Sequence, residues 1–260
     1  MKLRTVTAIR YVTPLREGGS LPAIVEADDA GLYVLKFRGA GQGAKVLVAE
    51  LVVGELARAL GLSVPEIVLI ELHADLARTE PDPEIQQLIR NSAGLNLALD
   101  YLPGSVMFNP VADPIQSRLA SQVVWLDAYT SNVDRTPRNA NMLMWHRQLW
   151  LIDHGAALYF QYGWRADSDC SQDLFTTIKD HILLRFAASL REVDADFSMR
   201  LTPAIIEHIV DAVPDSWLSV DSPFDTTLDA RRAYIQHLTR RLHSPRSFVE
   251  EAIRARSLLL

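Results

Sequence analysis

Three polar residues, Asp134, Asn139 and Asp153, stand in the stretch NVDRTPRNANMLMWHRQLWLIDHG (132–155), two before a largely apolar run and one just after it. Within the stretch, ANMLMW, a short HRQ turn and LWLI have the composition of two strands joined as a hairpin. A hairpin brings its two ends together. The pattern therefore predicts that Asp134 and Asn139, in the loop before it, meet Asp153 just beyond it. Such a set suits phosphoryl transfer. One carboxylate can orient an attacking hydroxyl and take its proton, while an amide and a second carboxylate hold Mg2+ on nucleotide phosphates.

Each signal alone is ordinary, since an Asp followed five residues later by Asn is also an Asx turn or a helix cap. Two residues upstream strengthen it. Lys36 lies near the end of the strand-like run LYVLKF, and Glu50 lies on the helical run that follows. The helical neighbours of Glu50 are Val46, Leu47, Val53 and Gly54, so its carboxylate sits on an apolar or small-residue face where an unpaired charge would be costly. A lysine reaching inward from the strand would be its partner, and the pair would fix the ammonium against the phosphates. Glu55, with Arg58 three residues on, reads as an ordinary solvated charge.

The elements that must position these residues fall into two regions. Residues 1–100 read as a small lobe of strands with one helix: AIVEA and LYVLKF form a hairpin about the turn DDAG, Ala44 to Leu60 is a helix stopped by Gly61, and PEIVLIEL is a further strand. LNLALDYL leads out of this lobe and joins it to the next region. Residues 101–260 are mostly helical, with DPIQSRLASQVVWLDAYTSN, DLFTTIKDHILLRFAASL, TPAIIEHIVDAV and DTTLDARRAYIQHLTRRL as the helical segments. For a phosphate loop, Gly18, Gly19 and Ser20 in REGGSLPAIVEA precede the first of these strands and are preferred over the competing RGAGQGAK after Lys36.

Composition bounds the alternatives. The 260 residues are 48% hydrophobic and 22% charged, which is globular. A net charge of −6 gives no electrostatic reason for non-specific nucleic-acid binding. Cys170 is the only cysteine, so no disulfide can form within the chain, and a reducing cytoplasm is expected. No run approaches a membrane span. The seven histidines lack zinc-ligand spacing, a nucleophile elbow is absent, and the five tryptophans read as core or interface residues.

The order Asp, Asn five on, an apolar hairpin, then Asp-x-Gly fourteen residues after the Asn resembles the catalytic loop and metal-binding Asp of protein kinases. Over about residues 15–160 the chain resembles the HipA-like kinases, with a more distant likeness to phosphoinositide kinases. ELVVGELARALGLSVPEIVLI is similar to a HipA segment, and DRTPRN and LIDHG are similar to phosphoinositide-kinase elements. The resemblance implies an α+β, bilobal protein-kinase-like fold with a small mixed lobe and a larger helical one. It implies Asp134 as base, Asn139 and Asp153 as Mg2+ ligands, Lys36 on the phosphates of ATP, Glu50 orienting Lys36, and the segment LALDYL as a hinge with backbone groups of Leu99 and Tyr101 facing the adenine. The implied activity is ATP-dependent phosphorylation, most often of Ser or Thr in a protein substrate, with a small-molecule or lipid head-group kinase and a nucleotide-binding regulator as alternatives. Thr136 and His154 depart from the family pattern, at positions that carry neither a metal ligand nor the base. Strand-like sequence begins almost at once, so a HipA-type antitoxin complex is not expected.

Overall fold

The computed structural model describes residues 3–15, 21–164 and 170–259. Gly18, Gly19 and Ser20 lie outside them. Five strands close a barrel in the order β1 (Thr5–Pro14), β2 (Ala23–Ala27), β3 (Leu32–Lys36), β5 (Gly94–Asp100), β4 (Ile67–Leu72). Neighbours are antiparallel except β1 and β4, whose parallel pairing closes the ring. Alternate residues such as Val25, Leu35, Ile70 and Ala98 fill the interior, and α2 (Pro83–Asn91) adds Ile85 and Ile89 to the same core. The hairpin expected about DDAG is present, with Ala30 at φ 62° and the Gly31 N–H donating to Asp29 Oδ1 (3.0 Å).

The helix α1 (Ala44–Ala59) follows β3 and is buried on nearly every side, as an all-round apolar sequence requires. A Cβ at Gly54 would come within 2.5 Å of Ile67 Cδ1, so glycine permits the close approach of α1 to β4. Gly61, at φ 82°, ends the turn after α1, with Leu62 N–H donating to Ala57 O (2.9 Å).

The larger lobe is built on α3 (Ser117–Thr130). Its Trp125 and Tyr129 stack and pack on Phe197 of α4 (Leu190–Arg200) and Phe248 of α8 (Ser247–Ser257). Helices α5 (Pro203–Asp211), α6 (Asp215–Leu218) and α7 (Thr227–Arg241) complete it. A small sheet, β6 (Val106–Met107), β7 (Met142–Trp145) and β8 (Gln148–Leu151), contains the hairpin read from the sequence. Its turn is His146–Arg147, both at positive φ, one residue tighter than expected. Among the described residues no helix is long and apolar enough to cross a membrane.

Three expectations are corrected. DLFTTIKDHILLRFAASL is not a helix: it holds only short 3-10 turns at Thr176–Asp180 and Leu184–Phe186 before α4 begins. Its backbone is spent elsewhere, with Ile182 N–H donating to Arg135 O (3.1 Å) and Leu183 N–H donating to His181 Nδ1 (3.0 Å). Glu55 is buried rather than solvated, because α1 is covered on that side too, and Arg58 reaches it at 3.5 Å. Leu99 and Tyr101 do not present free amides to a cleft. Leu99 lies inside β5, in register with Val34 on one side and Ile67 on the other, and the Tyr101 N–H donates to Leu32 O (3.0 Å).

Candidate active site

Lys36, the last residue of β3, points into the gap between the barrel and α1. Its Nζ lies 3.1 Å from Glu50 Oε1 and 2.8 Å from Asp153 Oδ1. Burial alone would lower the ammonium pKa, but the two carboxylates outweigh it and hold Lys36 well above its ordinary range. Burial pushes Glu50 up to about 7, with Lys36 pulling it down and the Asp153 charge adding to the rise. Burial also opposes ionisation of Asp153, yet Lys36 holds that group below the usual carboxylate range. The second Glu50 oxygen accepts the His154 N–H (2.8 Å), so one carboxylate joins β3, α1 and the Asp-x-Gly turn.

That turn is strained where it has to aim a side chain. Asp153 has φ 55°, an uncommon conformation for a residue other than glycine. Its position is set from both sides: Ile152 N–H donates to Asn141 O (3.1 Å), and Gly155 lies so near α1 that a Cβ there would meet Val46 Cγ1 at 2.5 Å.

The loop carrying Asp134 begins at Ser131, whose left-handed backbone ends α3. Asn132 then braces it, its Nδ2 donating to Asp127 Oδ1 (2.9 Å) and its Oδ1 accepting the Asp134 N–H (3.2 Å). Thr136 and Asn139 pair across the turn through their backbones. Asn139 Nδ2 donates to Asp134 Oδ2 (2.6 Å), and Asn141 Nδ2 approaches the same oxygen (3.3 Å). With the donors of Asn139 turned to Asp134, its carbonyl oxygen is the atom left to receive a cation.

The five residues singled out thus form two groups: Asp134 with Asn139, and Lys36 with Glu50 and Asp153. Arg135 joins the groups. Its Nε donates to buried Asp127 Oδ2, its Nη1 to Asn141 O, and its Nη2 to His154 Nδ1 (3.2 Å). A guanidinium can only donate, so His154 Nδ1 is an acceptor and its proton is on Nε2. Burial lowers the His154 pKa to about 3, and Arg135 adds to the effect. Asp127 also accepts His181 Nε2–H (2.9 Å). Burial would raise Asp127, but Arg135 and His181 hold it well below the usual carboxylate range.

Arg135, Asp127, Asn141 and His181 were not singled out by sequence. Arg135 was visible only as a letter in DRTPRN, and nothing local marks it as 1% exposed. The competing glycine segment RGAGQGAK has local reasons for its composition. Gly39 sits where a Cβ would meet Ser92 Oγ at 2.9 Å, and Gly41 and Gly43 have φ 53° and 74° in the turns leading to α1.

Comparison with known proteins agrees with this geometry. The family model described as HipA-like kinase matches residues 8–251, so the chain belongs to that family. Its fold is similar to that of the Helicobacter pylori proinflammatory kinase CtkA (TM-score 0.56, 14% identity, 99% of each chain covered). It is also similar to the Golgi casein kinase with Mn/ADP bound (TM-score 0.51, 14% identity, 99% of this chain and 75% of that one). No curated protein sequence matches it. The family and the bilobal α+β fold are those of ATP-dependent kinases.

Proposed function

We propose that the protein transfers the γ-phosphoryl group of Mg-ATP to a Ser or Thr hydroxyl of a protein substrate in the cytoplasm. The observation that carries this is the pairing of two preorganised groups: Asp134 braced by two amides, and Lys36 held between Glu50 and Asp153. Asp134 would accept the hydroxyl proton as the substrate oxygen bonds to the γ-phosphorus and the bond to the bridging β–γ oxygen breaks, leaving ADP. Lys36 would bind phosphate oxygens, exchanging its bond to Asp153 for them while Glu50 keeps it in place. Asn139 and Asp153 offer hard oxygen donors suited to Mg2+, and Asp153, with 36% of its side chain exposed, has an oxygen free of Lys36. Among the described residues no cluster of three or more acidic, His or Cys groups forms an all-protein metal cage. Two protein ligands fit an ion that completes its shell with water and phosphates. Mg2+ there would neutralise charge on the transferring group. The Golgi casein kinase of similar fold carries Mn/ADP, which supports a nucleotide and a divalent cation in this cleft.

Incubation with γ-labelled ATP and Mg2+, alone and with a cell lysate, tests the reading. Label on Ser or Thr of a protein is the expected result. Label confined to small alcohols or lipid head groups would replace the protein substrate, and nucleotide binding without transfer would replace the enzyme with a regulator.

A further inference from the structure

The helix that carries Glu50 is not held by the barrel alone. Side chains of α1 share one apolar core with α3, α5 and α7, whereas the barrel interior is a separate core. The start of α1 has no side-chain cap, and Gly43 precedes it at φ 74°.

What holds that end comes from the segment after the Asp-x-Gly turn. Gln161 is 2% exposed. Its Nε2 donates to Lys45 O (3.2 Å), its backbone carbonyl accepts Lys45 Nζ (3.3 Å), and its Oε1 accepts the Tyr234 hydroxyl of α7 (2.7 Å). Burial holds the Tyr234 phenol well above its ordinary range, so it remains a donor across the pH range of a folded protein. Gln161 therefore bridges α1 to α7 with both ends of its amide satisfied. An apolar residue of that size would fill the space and keep the backbone bond to Lys45 Nζ, but would lose the side-chain bridge from Lys45 O to the Tyr234 hydroxyl.

We propose that Gln161 is a positioning residue for phosphoryl transfer, tying the first turn of α1 to α7 and so fixing Glu50 against Lys36. The inference rests on the kinase reading. It makes α1 part of the larger lobe rather than a helix that swings freely, and it makes the fold of residues 156–164 a condition for an ordered Lys36.

Gln161→Leu, Gln161→Glu and Tyr234→Phe test it, each in the wild-type and Glu50→Gln backgrounds. In the wild-type background Gln161→Leu should lower kcat by about tenfold and Tyr234→Phe by about threefold, with Gln161→Glu recovering part of the loss because it still accepts from Tyr234. In the Glu50→Gln background Gln161→Leu should cost no more than about twofold further, since both residues act through Lys36. Backbone amides of residues 44–50 should exchange about tenfold faster in Gln161→Leu while those of α3 keep their rates. Equal losses in both backgrounds, or unchanged exchange in α1, would overturn the proposal. So would equal acceleration in α3, which would mean general loosening. Tyr234→Phe removes one hydroxyl and supplies the same readouts if Gln161→Leu does not fold. A wild-type protein without phosphoryl transfer would sink the kinase reading, and exchange in α1 would then decide the Gln161 bridge by itself.

Discussion

Lys36 and Glu50 face each other at 3.1 Å with 7% and 0% of their side chains exposed, one on the barrel and one on the helix beside it. Neither charge has water as an alternative partner. Removing Lys36 strands Glu50, which typically costs about 3–5 kcal/mol, whereas removing Glu50 leaves Lys36 its bond to Asp153. Lys36→Met should therefore destabilise the protein and push Glu50 further up, so that it stays protonated at neutral pH. Lys36→Met combined with Glu50→Gln should regain part of the stability, because the fully buried charge is gone and Asp153, which also loses Lys36, is partly exposed, yet regain no phosphoryl transfer. A double-mutant cycle on thermal unfolding beside a turnover assay measures both, and additive stability effects would show that the pair does not interact.

Asp134 accepts from Asn139 and Asn141 through the same oxygen, which leaves Oδ1 as the atom that can take a hydroxyl proton. Asp134→Asn keeps the side-chain shape but not the basic oxygen. Turnover should fall by at least about 10²-fold while ATP affinity stays within a few-fold of wild type. Wild-type turnover in this variant would remove Asp134 from the mechanism.

Asp153 has two duties in the proposed mechanism, since one oxygen holds Lys36 while 36% of the side chain is exposed. Asp153→Ala removes the oxygens proposed to hold the cation and one of the two carboxylates on Lys36. The Mg2+ concentration for half-maximal ATP binding should rise by at least about tenfold. An unchanged Mg2+ requirement would place the cation elsewhere.

Some of this was legible in the sequence, for physical reasons. Glu50 on an apolar helix face states a local problem, and a lysine at the end of the preceding strand, Lys36, is placed to answer it. The hairpin from Met142 to Leu151 is legible because alternation and a short turn are local properties. The stretch from Leu174 to Phe186 was misread because its apolar spacing suits a helix, while the groups that claim its backbone and side chains, Arg135 and Asp127, are about fifty residues away. Glu55 failed for a related reason. Its neighbour Arg58 suggested a solvated pair, but burial of that face depends on what packs over α1, which no local pattern records. Arg135 and Gln161 were missed because polar residues buried by long-range partners look like surface residues in a sequence.

Buried ionisable groups of opposite linkage sign give the last prediction. His181 is neutral in the fold: its Nδ1 accepts the Leu183 N–H, its Nε2–H donates to Asp127, and burial lowers its pKa from 6.5. His154 is likewise neutral, with its pKa lowered to about 3. The unfolded chain protonates both below about 6.5. It then binds more protons than the folded state, so these two contribute stability that is complete above 6.5 and is lost as pH falls. Glu50 acts the other way. Its folded pKa of about 7 lies above the ordinary 4.5, so between those values the folded state holds the extra proton. Its contribution is present at low pH and is lost as pH rises toward 7. Each proton is worth about 1.4 kcal/mol per pH unit. Denaturant unfolding between pH 6.0 and 5.0 should therefore show His181→Gln with a stability-versus-pH slope shallower than wild type by up to about that amount. Glu50→Gln should be steeper by a similar amount. Parallel slopes for all three proteins would mean that His181 and Glu50 titrate in the fold as they do in the unfolded chain, and would remove the burial argument on which the site electrostatics rest.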